Sequence, residues 1–149
     1  MSSAFTKYIF VSNLFSTFFM TGLIFLIQIV HYPLFDLVSE ERFLKYHSEH
    51  SRLITFIVLP MMLTELMSSI FLIPDNPYLN RTMAILLLAL CVGIWVSTAF
   101  VQVPYHNLLA GGKSSNLISK LTNSNWIRTL LWSLRSGILI WILMDRLDL

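Results

Sequence analysis

NWIRTLLWSLRSGILIWILM, residues 125–144, is the stretch that decides the fold. From Ile127 onward it is long and apolar enough to cross a bilayer, yet Arg135 stands in its middle. A second apolar run, residues 53–73, carries Glu65 in the same way. A charge at bilayer depth costs from about 3 to more than 10 kcal/mol, so such residues face a protein interior, paired or wetted. The two charges therefore predict a bundle of membrane helices with a polar inside.

The rest of the chain agrees. Of its 149 residues 56% are hydrophobic and only 12% are charged, against about 25% in soluble domains. Mean hydropathy is +0.71. A soluble domain of this length cannot hide so much apolar surface, so the chain reads as one integral membrane domain over residues 1–149. A formal charge of +2 on scattered basic residues excludes a nucleic-acid partner. Cys91 lies within an apolar run and, as the one cysteine, forms no internal disulfide.

Four runs qualify as spans: residues 8–30, 53–73, 82–103 and 127–144. The first is longer than the apolar core of a signal peptide and no small-x-small cleavage site follows, so it reads as a retained helix. His31-Tyr-Pro33 is expected to end the first span, Pro104 to close the third, and Pro60 to kink the second. The fold class is thus all-α, an integral membrane four-helix bundle with both termini on one side, here face A. Face B holds the longer connections, residues 31–52 and 104–126. Arg42, Lys45, Arg52, Lys113 and Lys120 outnumber the basic residues of face A, which by the positive-inside rule puts face B in the cytoplasm, in a bacterial inner membrane. Asn80-Arg-Thr82 matches a glycosylation sequon.

All four histidines, His31, His47, His50 and His106, map to face B. Ser39 is positioned to cap a helix that opens with Glu40 and Glu41. Continued into the second span, that helix puts His47, His50, Ile54, Val58, Met61 and Glu65 on one stripe. The last helix answers with Arg128, Trp132 and Arg135 at i, i+4 and i+7, which favours a Glu65–Arg135 pair. His47, His50, Glu65 and His106 form a nitrogen and oxygen set suited to a transition metal or haem.

A second chemistry needs no metal. Arg128 and Arg135 hold an anionic oxygen, while His50 or His106 moves a proton near neutral pH. His31, Tyr105, Asn107, Trp126 and Trp132 then form the binding surface for a flat, hydrophobic substrate drawn from the bilayer. Any one of these residues alone serves equally well as a packing residue, since buried polar groups also hold helices together.

Gln102-Val-Pro104-Tyr-His106-Asn107-Leu108, Asn125-Trp126-Ile-Arg128 and Trp132-Ser-Leu-Arg135 resemble the anthrone-oxygenase-like membrane proteins, a four-span family. The resemblance covers the third and fourth helices, about a third of the chain. It implies an oxygenase acting on polycyclic aromatic anthrones or similar phenolic substrates. It also implies that Asn107, Trp126, Arg128 and Arg135 are the family-like polar residues. Three functional readings stand side by side: an oxygenase-like enzyme, a metal- or haem-binding membrane protein, and a transport or assembly subunit working as a homo-oligomer. A transport pathway requires a polar track from Gln28 or Gln102 past Glu65 to face A.

Overall fold

Glu65 and Arg135 meet at 3.0 Å, both buried, and the bundle is built around that contact. The computed structural model of the chain describes residues 3–146. Four helices are long and apolar enough to cross a membrane: α1 (Ala4–Leu37), α2 (Glu40–Phe71), α3 (Arg81–Leu109) and α4 (Ser115–Arg146). Helix α1 packs on α2 and α4, and α3 packs on α4 and, most loosely, on α2. Four crossings return the chain to face A. There Phe10 stacks on Tyr78 at 4.8 Å, and Arg146 Nε donates to the Tyr78 carbonyl.

The face A turn is organised by asparagines. Asn76 Oδ1 accepts from the Tyr78 and Leu79 amides, and Asn80 Oδ1 caps α3 by accepting from Met83 N. Asn80, the sequon asparagine, is thus occupied as a helix cap.

At face B the helix expected to open with Glu40 and Glu41 runs unbroken into the second span. Helix α2 has 32 residues, about 48 Å at 1.5 Å per residue, against a hydrocarbon core of about 30 Å. Helix α4, also 32 residues long, exceeds that thickness by the same amount. Ser39 takes the N-cap position of α2 with extended backbone but makes no side-chain cap bond. The turn joining α3 to α4 is pinned to the end of α1, where Asp36 accepts from Lys113 Nζ at 2.7 Å and Ser115 Oγ at 2.6 Å.

The expected proline stops are corrected too. Pro33 and Pro104 do not end their helices. Each follows a π-helical segment, Ile27–His31 in α1 and Thr98–Gln102 in α3, and sits in the opening turn of the α segment after it. A first-turn residue needs no amide donor, so proline fits there. The wider π turn absorbs the ring that would otherwise meet the carbonyl four residues back. Helix α2 also continues through Pro60, whose carbonyl accepts from Thr64 Oγ1 at 2.9 Å.

Two apolar clusters fill the bundle. Near face A, Phe10, Leu72, Leu87 and Leu139 are buried together. Toward face B, Met20, Ile24, Phe35, Met62 and Trp132 form the larger cluster. Between and beside them runs the polar interior.

Candidate functional site

The polar interior falls into two networks. The deeper one surrounds the charge pair. Glu65 Oε1 accepts from Thr17 Oγ1 at 2.7 Å and from Arg135 Nε at 3.0 Å, and Oε2 accepts from Trp132 Nε1 at 3.0 Å. Arg135 spends its remaining donors on Thr17, Ser69 and the Leu87 carbonyl. Asn13 Nδ2 completes the group by donating to Ser68 and Ser69. A buried ion pair survives in apolar surroundings when further hydrogen bonds satisfy its remaining lone pairs and protons, as they do here.

The second network lies nearer face B. Gln28 Oε1 accepts from Asn125 Nδ2 at 2.9 Å, and Asn125 Oδ1 accepts from Arg128 Nε at 2.9 Å. Arg128 also donates to Tyr32 Oη at 3.3 Å. That phenol meets His106 Nε2 at 3.0 Å, and His106 Nδ1 meets His47 Nε2 at 3.0 Å. One assignment uses every atom once: Arg128 donates to Tyr32, Tyr32 to His106, and His106 to His47. The result is a continuous donor chain from a fixed cation to an imidazole on α2.

His31 and His50 form a second pair, Nε2 to Nδ1, at 2.7 Å, and the His50 ring stacks on His106 with centroids 5.8 Å apart. Phe35, fully buried, stands edge-on to both, with ring centroids 5.2 and 5.0 Å away, and to His47 at 5.9 Å. It is the apolar hub that spaces the two imidazole pairs.

A cavity of about 300 Å³ lies between the helices, near the small end of the range for ligand pockets. Its polar wall is Tyr32, Gln102, His106 and Arg128, and its apolar floor includes Met20, Met62 and the ring of Trp132. Thr55 and Leu59 on α2, with Ala99 and Val103 on α3, line it and are themselves exposed. Its mouth is therefore the loose α2–α3 seam. A second cavity of about 380 Å³ lies at face B, with His47, Ser48, Ser51 and Asn107 in its lining. Four residues line both: Ile54, Thr55, Val103 and His106. His106 is the titratable one, standing between the two cavities.

The structure sorts the sequence candidates. Of the four residues expected to be catalytic, His106 and Arg128 line the first cavity. His50 does not; it lines a different groove with His31, between α1 and α2. Arg135 does not either, because its guanidinium is consumed by Glu65, Thr17 and Ser69 below the cavity floor. Among the expected binding residues, Trp132 lines the cavity, whereas His31 belongs to the groove and Asn107 to the outer polar cavity. Tyr105 packs half-buried on the face B apolar cluster. Trp126 is 44% exposed on the outside of α4 and lines none of these cavities, so it is no entrance residue.

The proposed metal set is not assembled. Glu65 is 15–18 residues along α2 from His50 and His47, about 22–27 Å of helix rise, and its oxygens are already taken. The imidazole nitrogens hydrogen-bond to each other in pairs instead. Among the described residues no group of three or more His, Cys, Asp or Glu side chains is placed to hold a metal ion.

Sequence reasoning missed Tyr32 and Asn125 as site residues. Tyr32 reads as an interfacial tyrosine, yet it is 3% exposed at the centre of the donor chain. The signal was present in the steps from Gln28 to Tyr32 to Phe35, i, i+4 and i+7, which put all three on one helix face. A comparison with protein-family models, with curated proteins and with solved structures finds no match to this chain.

Proposed function

We propose that the chain is a membrane enzyme, an oxygenase-like oxidoreductase, that admits a flat phenolic or quinone-like molecule from the bilayer and removes a proton from it toward face B. One observation carries the reading: His106 lines both cavities while hydrogen-bonded through Tyr32 to the Arg128 cation. A substrate enters sideways through the α2–α3 seam, past Leu59 and Val103. Tyr32 gives its phenolic proton to His106 as it takes one from the substrate, and Arg128 balances the negative charge left behind. The Trp132 ring forms the flat surface against which an aromatic substrate lies. As an oxygenase the protein then uses dioxygen on a substrate with a ring methylene: one oxygen atom becomes a carbonyl at that carbon, and the other leaves as water, taking the carbon's second hydrogen and the proton that His106 returns. Face B is the cytoplasmic side of a bacterial inner membrane in this reading, in keeping with its excess of lysine and arginine.

The transport reading draws less support, since the buried layer of Phe10, Leu72, Leu87 and Leu139 packs the bundle on the face A side of Glu65. The test is oxygen consumption by the purified protein in nanodiscs, offered a panel of polycyclic phenols and anthrones. Turnover that falls at least about 100-fold in both Tyr32→Phe and His106→Ala supports the proposal, general acid–base groups contributing about 10²–10⁴-fold. Turnover indifferent to both substitutions, or no turnover together with no thermal shift from any aromatic, overturns it.

A further inference from the structure

The His31–His50 pair takes no part in the donor chain from Arg128, and its outer nitrogens are open. Nε2 of His31 and Nδ1 of His50 are joined at 2.7 Å, while His31 Nδ1 and His50 Nε2 have no hydrogen-bond partner among the described residues. Neither outer atom is enclosed, and both residues are half-buried. The cavity they line is a groove of about 360 Å³ between α1 and α2, within the size range of ligand sites. Its floor is Leu23, Leu26, Ile27, Leu53, Ile54 and Ile57, and it runs about 10 Å from the imidazoles toward the middle of the bundle at 1.5 Å per residue. Leu26, Leu53 and Ile57 are exposed, so a chain can enter the groove from its open side. Tyr46 and Glu49 stand at the rim, where Glu49 is paired with Arg52 at 2.8 Å and the two charges cancel.

Two imidazoles joined by one N–H···N bond leave a fixed remainder. Whichever ring holds the shared proton, the outer nitrogens are one donor and one acceptor. With one further proton on the pair, both are donors. A carboxylic acid offers one donor and one acceptor, and its carboxylate offers two acceptors, so both outer nitrogens are matched in either proton state. An ester has no donor, and an alcohol brings no charge to balance the protonated pair. We infer that the groove is a binding site for a free fatty acid, whose carboxyl group meets the outer nitrogens of His31 and His50 while its chain lies along the apolar floor. The site is separate from that of the proposed reaction, sharing only Ile27 and Ile54 with the cavity beside Tyr32.

Four straight-chain probes separate head from chain: decanoic acid, decanol, methyl decanoate and decane. Binding is measured by equilibrium partition in phosphatidylcholine nanodiscs against Ile57→Trp, which fills the groove and sets the background. Decanoic acid is expected to bind at least about 10-fold tighter than decanol or methyl decanoate, one charge-assisted hydrogen bond being worth about that factor. His50→Phe keeps a ring but removes both nitrogens, and brings decanoic acid down to the level of methyl decanoate. Val58→Trp, which fills the cavity beside Tyr32, leaves its binding unchanged. Should His50→Phe fail to fold for want of its His31 bond, imidazole nitrogen NMR of the unsubstituted protein decides, with decanoic acid moving the signals of His31 and His50 but not of His47. Equal binding of acid and ester, an acid preference unmoved by His50→Phe, or unmoved His31 and His50 signals overturns the inference. Binding is expected to persist when phosphatidylglycerol replaces part of the phosphatidylcholine; its loss assigns the groove to a lipid phosphate and overturns the fatty acid as well. Each of these outcomes leaves the proposed reaction standing.

Discussion

Replacing Arg135 with methionine leaves the Glu65 carboxylate 1% exposed and without its cation. Thr17 and Trp132 still donate to it, but neither neutralises it. Breaking a buried pair from one side costs about 3–5 kcal/mol, most of it the stranded charge rather than the lost contact. Glu65→Leu should cost a similar amount by stranding the guanidinium, whose other partners are the neutral Thr17, Ser69 and Leu87 carbonyl. Removing both together strands no charge. What remains is loss of the acceptor for Trp132 Nε1 and Thr17 Oγ1, about 1–3 kcal/mol each at most. The double variant is therefore expected to cost less than the two single effects summed, with a coupling energy of at least about 2 kcal/mol. The assay is reversible unfolding by sodium dodecyl sulfate in mixed micelles, applied to all four members of the cycle. Single-variant effects that add to within about 0.5 kcal/mol would refute the reasoning, because independent sites behave that way.

Other outcomes follow from the same geometry. Asn125→Ala removes the acceptor that holds Arg128 Nε and the donor to Gln28, and should lower stability by about 2–3 kcal/mol in the same unfolding assay. Tyr32→Phe deletes one oxygen that joins Arg128 to His106; it should change unfolding by less than about 1.5 kcal/mol while turnover collapses. Gly112 holds φ at +148°, where a side chain is strained, so Gly112→Ala should destabilise by about 1 kcal/mol or more although open space surrounds the position.

The four crossings were legible because nothing but a bilayer accounts for four such apolar runs. Which helix face points inward was legible only through polar residues. In α1 the lipid-facing Phe15 and Phe19 are as apolar as the buried Phe10 and Met20, so hydrophobicity cannot orient the helix. Asn13, Thr17 and Gln28 orient it instead, since each is buried and hydrogen-bonded across helices. The same logic made the Glu65–Arg135 contact readable from one charge in each of two spans. Pro33 and Pro104 read as helix stops in the sequence because the π turns that accommodate them carry no mark as strong as a proline. The imidazole set was misjoined because helical stripes give direction but not which neighbour lies opposite. His50 and His47 share a helix, yet one turns to His31 on α1 and the other to His106 on α3.

In the proposed enzyme the cavity that opens at the α2–α3 seam holds a flat ligand against Trp132, beside Tyr32 and His106. Photolabelling tests it most directly. Irradiating the protein with 4-hydroxybenzophenone in nanodiscs and mapping the adducts by peptide mass spectrometry should place them on Met20, Val58 and Met62, which line the cavity, and Val58→Trp should suppress them. Adducts confined to the outward groove of α4 between Leu130 and Trp141, or undiminished by Val58→Trp, would contradict the account.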